Sequence, residues 1–402
     1  MQVNYVEFTC PTRGGNEGDM LGRVKIGIDA APLGSPSGGI KRYTEELIRG
    51  LPRLESQHQY VLYRTPKNSR SRMRTSRNQL DPMGFPAKRF LDSIHLLGAR
   101  DTIDLYHGTN YSIPFFSQIP TVVTVHDLTV QLVPESHPLR RRIRHRLLPA
   151  ICHRATRIIA DSRQTREDLV RLFALDEGKI DVIHLGVGQD FGPIADSTDL
   201  SVVRTRYRLP PQFILYLGAL EPRKNVESLI DACVVLKGRE SGETLVIAGS
   251  GSESYETKLR THALEAGLTL DRDIHFLGHV EDCDLRNLYC ASKLFVFPSR
   301  YEGFGLPPLE AMACGVPVVM PRNSSLAEVY DGVCAMAESA DPVTLANAIR
   351  ATLDDPSRRE ELSRRGLEFA RSRRWDKVCA ETLVTYERAM KADSVASAQR
   401  RS

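Results

Sequence analysis

Residues 295–310 read FVFPSRYEGFGLPPLE, and this stretch decides the fold. Phe295, Val296 and Phe297 make a short apolar run of strand character, stopped by Pro298. Gly303, Phe304 and Gly305 form a flexible turn, and with Leu306 a candidate ligand-binding loop, after which Pro307 and Pro308 open a helix. The order is strand, glycine turn, helix start. A helix start carries unpaired N–H groups and partial positive charge, so it seats phosphate or another anion, and glycine lets a ligand approach the backbone. Glu302 stands just before the turn and Glu310 eight residues later, both placed to face whatever the turn cradles. Carboxylates accept hydrogen bonds from hydroxyls. A ligand with phosphates for the N–H groups and hydroxyls for the two acids suggests a nucleotide sugar.

Outward from this stretch, strands and helices alternate in two cycles. Val24 to Asp29 (VKIGID) reads as the first strand, followed by a loop with Gly34, Gly38 and Gly39 and a helix from about Ile40 to Leu51. Further strands are expected at Tyr60–Tyr63, Asp104–His107, Thr121–His126, Ile158–Ala160 and Asp181–His184. A second cycle starts after Leu209, Pro210 and Pro211, with strands at Phe213–Leu217, Thr244–Ala248, Ile274–Leu277, Leu294–Phe297 and Val316–Met320. A helix is expected at Asn225–Leu236 and another at Asp376–Met390, after the only tryptophan, Trp375. The alternation predicts an α/β protein of two Rossmann-like domains whose parallel sheets face a central cleft, because such sheets bind ligands at the carboxyl ends of their strands.

Two further places suit that chemistry. Strand FILYL runs through Gly218 to Glu221 into Pro222, Arg223, Lys224 and Asn225, and two adjacent cations before a helix can neutralise a diphosphate leaving group. Taken alone, such cations are most often solvated. His126 ends the strand TVVTVH, at the carboxyl end where catalytic groups tend to sit, although a lone histidine there is more often structural. Residues 248–252 (AGSGS) hold Gly249 and Gly251 but lack the third glycine of a dinucleotide fingerprint, which argues against a dehydrogenase; the loop suits a base pocket, as does Gly278 to Val280. Asp282 and Asp284 precede an amphipathic helix and read as capping residues rather than metal ligands.

The acid pair Glu302 and Glu310, with the glycines and prolines between them, resembles the signature of the retaining GT-B glycosyltransferases of family four, the group 1 glycosyl transferases. The resemblance extends over about residues 24 to 390. It implies that Glu302 meets the donor sugar, that Glu310 holds the ribose, and that Arg223 and Lys224 neutralise the diphosphate. It further implies that His126 lies beside the transferred sugar, that Gly38 and Gly39 lie beside the donor phosphates, and that the last helix crosses back to the first domain. Outside this context Glu302 is an ordinary solvated loop residue and Glu310 merely complements the helix dipole, worth about 0.3 to 1 kcal/mol. The expected divisions are a disordered leader 1–22, an acceptor-side domain 23–205, a nucleotide-sugar domain 206–375, a crossing helix 376–392 and a disordered tail 393–402.

Composition sets limits on this reading. The 402 residues are 41% hydrophobic and 26% charged, as in a soluble globular protein. No apolar run reaches eighteen residues and the N-terminus lacks signal-peptide order, so a cytoplasmic location is expected. The eight cysteines (Cys10, Cys152, Cys233, Cys283, Cys290, Cys314, Cys334 and Cys379) show no paired short spacing, so neither a disulfide framework nor a zinc site is indicated. Net charge is only +4, but residues 64–89 hold eight Lys or Arg against Asp81, and residues 139–146 read LRRRIRHR. Leu139, Ile143, Leu147 and Ile151 give the second stretch an apolar stripe, ended or kinked by Pro149, that suits either core packing or an anionic membrane surface as well.

The reaction expected from the resemblance is transfer of a sugar, with retention and no essential metal or cofactor, from a nucleoside-diphosphate donor to a hydroxyl of a glycan or lipid-linked oligosaccharide. The opening GGIKRYTEELIRGL and the first-domain histidine resemble bacterial mannosyltransferases of surface polysaccharide synthesis, which favours GDP-mannose. A UDP-glucose or UDP-N-acetylglucosamine donor remains an alternative, as do a GT-B phosphorylase or epimerase and, more remotely, a non-catalytic sugar-nucleotide-binding scaffold. No nucleic-acid partner is expected.

Overall fold

The computed structural model describes residues 24–35, 38–54, 57–63, 103–114, 118–137, 139–194, 197–237 and 243–401. The expected leader 1–22 and the basic stretch 64–89 lie outside them. Two six-stranded sheets, parallel throughout, account for the strands. The first has the order β2-β1-β3-β4-β5-β6, from β1 (Lys25–Asp29), β2 (Gln59–Tyr63), β3 (Leu105–Gly108), β4 (Thr121–Val125), β5 (Arg157–Ala160) and β6 (Ile180–Val182). The second has the order β12-β11-β10-β7-β8-β9, from β7 (Phe213–Leu217), β8 (Thr244–Ala248), β9 (Ile274–Gly278), β10 (Leu294–Val296), β11 (Val318–Pro321) and β12 (Ala335–Ala337). Strand β12 was not anticipated. Each sheet reverses its strand order once, beside β1 in the first and β7 in the second, and such a reversal opens a crevice at the carboxyl ends of the strands.

The strands are apolar without alternation because helices cover both faces: all of β4 and all of β8 are buried. Aromatic side chains fill the gaps, with Tyr43, Tyr106, Tyr216, Phe295 and Phe297 almost fully enclosed. The last helix, Trp375–Arg401, is longer than expected and continues through the residues foreseen as a tail. It returns to the first domain. Its Tyr386 hydroxyl lies 2.7 Å from Nδ1 of buried His107, and its Arg388 bonds Asp181 on β6. Gly50 faces it without a side chain, because a Cβ there would lie 2.5 Å from the Cys379 sulfur.

Pro149 divides the basic segment as anticipated, but by opening a helix. Leu139–His145 is one short helix, and Pro149 stands in the first turn of the next, Leu148–Arg154. Core packing does not explain the stripe. Leu139, Ile143 and Leu147 are 64%, 53% and 63% exposed. Asp284 is also corrected: its side chain caps nothing, and accepts instead from Arg206 at 2.6 Å and Tyr207 at 2.8 Å.

Candidate active site

Between the two sheets lies a cavity of about 690 Å³ whose walls come from both domains. All twelve residues singled out in the sequence line it: Gly38, Gly39 and His126 from the first domain, Arg223, Lys224, Gly249, Glu302, Gly303, Phe304, Gly305, Leu306 and Glu310 from the second. Topology explains the convergence, since His126 follows β4, the Arg223–Lys224 loop follows β7, Gly249 follows β8 and the Glu302 turn follows β10.

The turn after β10 reaches across to the first domain. A Cβ on Gly303 would sit 1.6 Å from the carbonyl oxygen of His126, so only glycine allows this approach. Gly305 adopts φ +89°, which L side chains rarely take, and its carbonyl accepts from the Tyr330 hydroxyl at 2.7 Å. The helix Leu306–Ala313 then begins with prolines at its N-terminus. Pro307 and Pro308 have no N–H to offer, so the donors available to an anion are those of the turn itself rather than of the helix's first turn. Gly38, at φ +120°, precedes the helix Gly39–Gly50, and a Cβ on Gly39 would be 3.5 Å from Leu306. The two glycine turns thus face each other.

Glu302 is the hub of the second domain's side. One of its oxygens accepts from Lys224 Nζ at 2.5 Å and from the Ser299 hydroxyl at 2.5 Å. The Arg223 guanidinium stands 3.4 Å from both oxygens and bonds Glu221 at 2.8 Å. Burial works against the charge on Lys224 and lowers its pKa, with Glu302 opposing that shift. Arg223 goes the other way: Glu302, Asp127 and Glu221 outweigh its burial and raise it. Buried Lys224 and half-buried Arg223 thus share the Glu302 carboxylate, with Lys224 also over the Phe297 ring, 4.9 Å from its centroid.

His126 is held differently from a free catalytic histidine. Nδ1 donates to Asp161 at 2.8 Å and Nε2 donates to the Thr109 carbonyl at 2.9 Å. With Asp161 ionised, two acceptors require two ring protons and a cationic imidazole, against the burial that pushes the Asp161 carboxyl up. Burial would depress its pKa, but Asp161 beside it raises it. Asp161, which immediately follows β5, was not singled out in the sequence. Its signal was its place at the end of a parallel strand.

Glu310 is nearly enclosed, 4% exposed, and is not idle. Arg42, on the first domain's opening helix, forms an ion pair with one oxygen, and the Tyr289 hydroxyl donates to the other at 3.0 Å. Arg42 also stacks over Phe191 at 5.0 Å. Both Lys41 and Arg42 lie near Asp282, at 3.7 and 3.9 Å, and Asp282 lines the cavity with Gly249, Ser250, His279 and Val280.

Known proteins resemble this chain in sequence and in fold. Residues 204–369 match the family Glycosyl transferases group 1, and residues 37–191 match Glycosyltransferase Family 4. The O-antigen chain mannosyltransferase B of Escherichia coli is 32% identical over 90% of this chain and 100% of its own length. The serotype-specific mannosyltransferase WbdA of Escherichia coli is 33% identical over 67% of this chain, spanning 34% of that longer protein. Among solved structures, the sucrose-phosphate synthase of Thermosynechococcus elongatus superposes with a TM-score of 0.71 at 22% identity, over 92% of this chain and 100% of that one.

Proposed function

Because the chain belongs to the group 1 glycosyl transferases of family 4 and is a GT-B glycosyltransferase, we propose that it moves mannose from GDP-mannose to a hydroxyl of a glycan or lipid-linked oligosaccharide. The observation that carries this reading is the meeting of Arg223, Lys224 and Glu302 with His126 across one cavity. Arg223, Lys224 and the turn amides at Gly303 to Leu306 neutralise charge growing on the departing diphosphate, a preorganised contribution of about 3 to 4 kcal/mol per well-placed donor. Glu302, pinned by Lys224 and Ser299, orients the sugar hydroxyls. The C1–oxygen bond to phosphate breaks while the acceptor oxygen bonds C1 on the same face, and the acceptor proton passes to the leaving phosphate. Cationic His126 adds positive charge beside the sugar without giving up either ring proton.

A carboxylate that lines the same cavity supports a guanine base in the donor. Guanine presents two adjacent N–H donors on one edge, which a carboxylate accepts as a pair, whereas uracil presents one. Asp282 offers that carboxylate, and Glu310 offers an acceptor for the ribose once Arg42 yields. The mannosyltransferases among its relatives favour mannose as the sugar.

The exposed Leu139, Ile143 and Leu147 lie among the exposed Arg140, Arg142 and Arg146, a pattern suited to an anionic bilayer carrying a lipid-linked acceptor. No helix among the described residues is long and apolar enough to cross a membrane. The test is incubation of radiolabelled GDP-mannose with mannose-terminated oligosaccharides, free and lipid-linked. Release of GDP with formation of an α-mannosyl product supports the reading; transfer from UDP-sugars alone refutes the donor assignment.

A further inference from the structure

A second cavity, of about 230 Å³, lies where the two chain crossings between the domains run side by side. The Val187 N–H donates to the Arg373 carbonyl at 2.9 Å, joining the first crossing to the second. Four cations line the space, Arg163, Arg373, Arg374 and Lys377, against a single carboxylate, Glu381. Arg374 is offset by Asp376 at 2.7 Å and Lys377 loosely by Glu381 at 3.8 Å, all of them exposed pairs of small worth. The guanidinium of Arg163 has no partner among the described residues. Arg373 has an unusual one. Its Nη1 points at Nδ1 of His184, 3.0 Å away. A guanidinium only donates, so Nδ1 accepts and the His184 proton lies on Nε2, which donates to Glu328 at 3.0 Å. Arg373 and Arg163 therefore keep their charge uncompensated by any carboxylate within the cavity.

We propose that this cavity is a binding site for a small phosphorylated anion, distinct from the active-site cleft that it adjoins at Leu185. The volume suits a diphosphate or a phosphate monoester, and the paired arginines match phosphate oxygens bidentately. An anion there takes donors from Arg163, Arg373 and Lys377 and sits directly on the joint between the domains. Glu328 extends the connection, because its carboxylate also accepts the N–H groups of Arg163 at 2.8 Å and Gln164 at 2.9 Å, at the start of the first-domain helix Arg163–Phe173.

The test is calorimetric titration with inorganic diphosphate on the full chain and two variants. Arg163→Gln/Lys377→Gln alters only exposed side chains of the second cavity; Arg223→Gln weakens the cleft while leaving Lys224 on Glu302. The wild type is expected to bind diphosphate at two sites. The first variant should lose one of them, with affinity there falling at least tenfold, and Arg223→Gln should keep that site intact. Binding to Arg163→Gln/Lys377→Gln that matches the wild type overturns the proposal, as does loss of all binding in Arg223→Gln. Equal binding by Arg223→Gln and wild type would instead count against the cleft assignment alone.

Discussion

Arg42 of the first domain and Glu310 of the second, 268 residues apart, are joined across the cleft by an ion pair. With Glu310 so nearly enclosed, the pair fastens one domain to the other and occupies the oxygen proposed for the donor ribose. Burial opposes the charge on Arg42, yet Glu310 raises its pKa. Removing Arg42 leaves a buried carboxylate with only the Tyr289 hydroxyl, a change that costs about 3 kcal/mol where such pairs are well shielded. Arg42→Ala should therefore lower the melting temperature of the ligand-free protein, while GDP should raise it by more than in the wild type, since ribose hydroxyls no longer compete with a guanidinium. Thermal melts with and without GDP read both effects. A smaller GDP shift in the variant would contradict the exchange.

Glu302 and Lys224 should act on turnover more than on donor affinity. Glu302→Gln keeps the shape but removes the charge that Lys224 and Arg223 face, and is expected to lower kcat about 100-fold or more with a modest change in donor KM. Lys224→Ala also removes a diphosphate contact and should lower kcat at least as far. Steady-state kinetics on both variants provides the check, with unchanged kcat in Glu302→Gln as the contrary result.

Two buried histidines of the first sheet should give stability opposite pH dependences. His107 is held neutral by burial, helped by the nearby charge of His126, and its pKa falls to about 3. The folded state therefore binds protons less readily there than the unfolded chain, so this contribution is full above about pH 6.5 and is lost as pH falls toward 3, by at most about 1.4 kcal/mol per pH unit. His126 is raised by Asp161 despite burial, so its contribution is full below about pH 6.5 and is lost as pH rises through the folded value. Asp161→Asn should then destabilise the protein more at pH 6 than at pH 9, and shift the alkaline limb of activity to lower pH. Melting curves at the two pH values decide it; an equal loss at both would contradict a cationic His126.

The exposed stripe on the helix Leu139–His145 and its following turn predicts lipid binding. Leu139→Ser/Ile143→Ser/Leu147→Ser changes only exposed side chains, so the fold and the transfer to a free oligosaccharide should persist while co-sedimentation with vesicles containing phosphatidylglycerol falls at least tenfold. Wild-type protein that ignores such vesicles would remove the membrane reading.

Much of this site was legible because parallel sheets put chemistry at the carboxyl ends of strands. His126, Arg223, Gly249 and Glu302 each follow a strand that its apolar run announces, so their meeting could be foreseen without knowing any distance. What escaped was whatever depends on the packing of one domain against the other. Arg42 looks like any cation on an amphipathic helix, and nothing local assigns it to Glu310. Asp284 was misread because a carboxylate before a helix serves a cap or a distant cation equally well, and here Arg206 and Tyr207 take it. Leu139, Ile143 and Leu147 have core periodicity but stand outside, since periodicity tells which side chains share a face and not what covers it.

The most direct test of the account is calorimetric titration of GDP, UDP and ADP into the wild type, Glu310→Ala and Asp282→Asn. The account predicts GDP binding at least tenfold tighter than UDP, weakened by Glu310→Ala for every nucleotide, with the GDP preference reduced about tenfold in Asp282→Asn. Equal affinity for the three bases, or GDP binding untouched by Glu310→Ala, would contradict it.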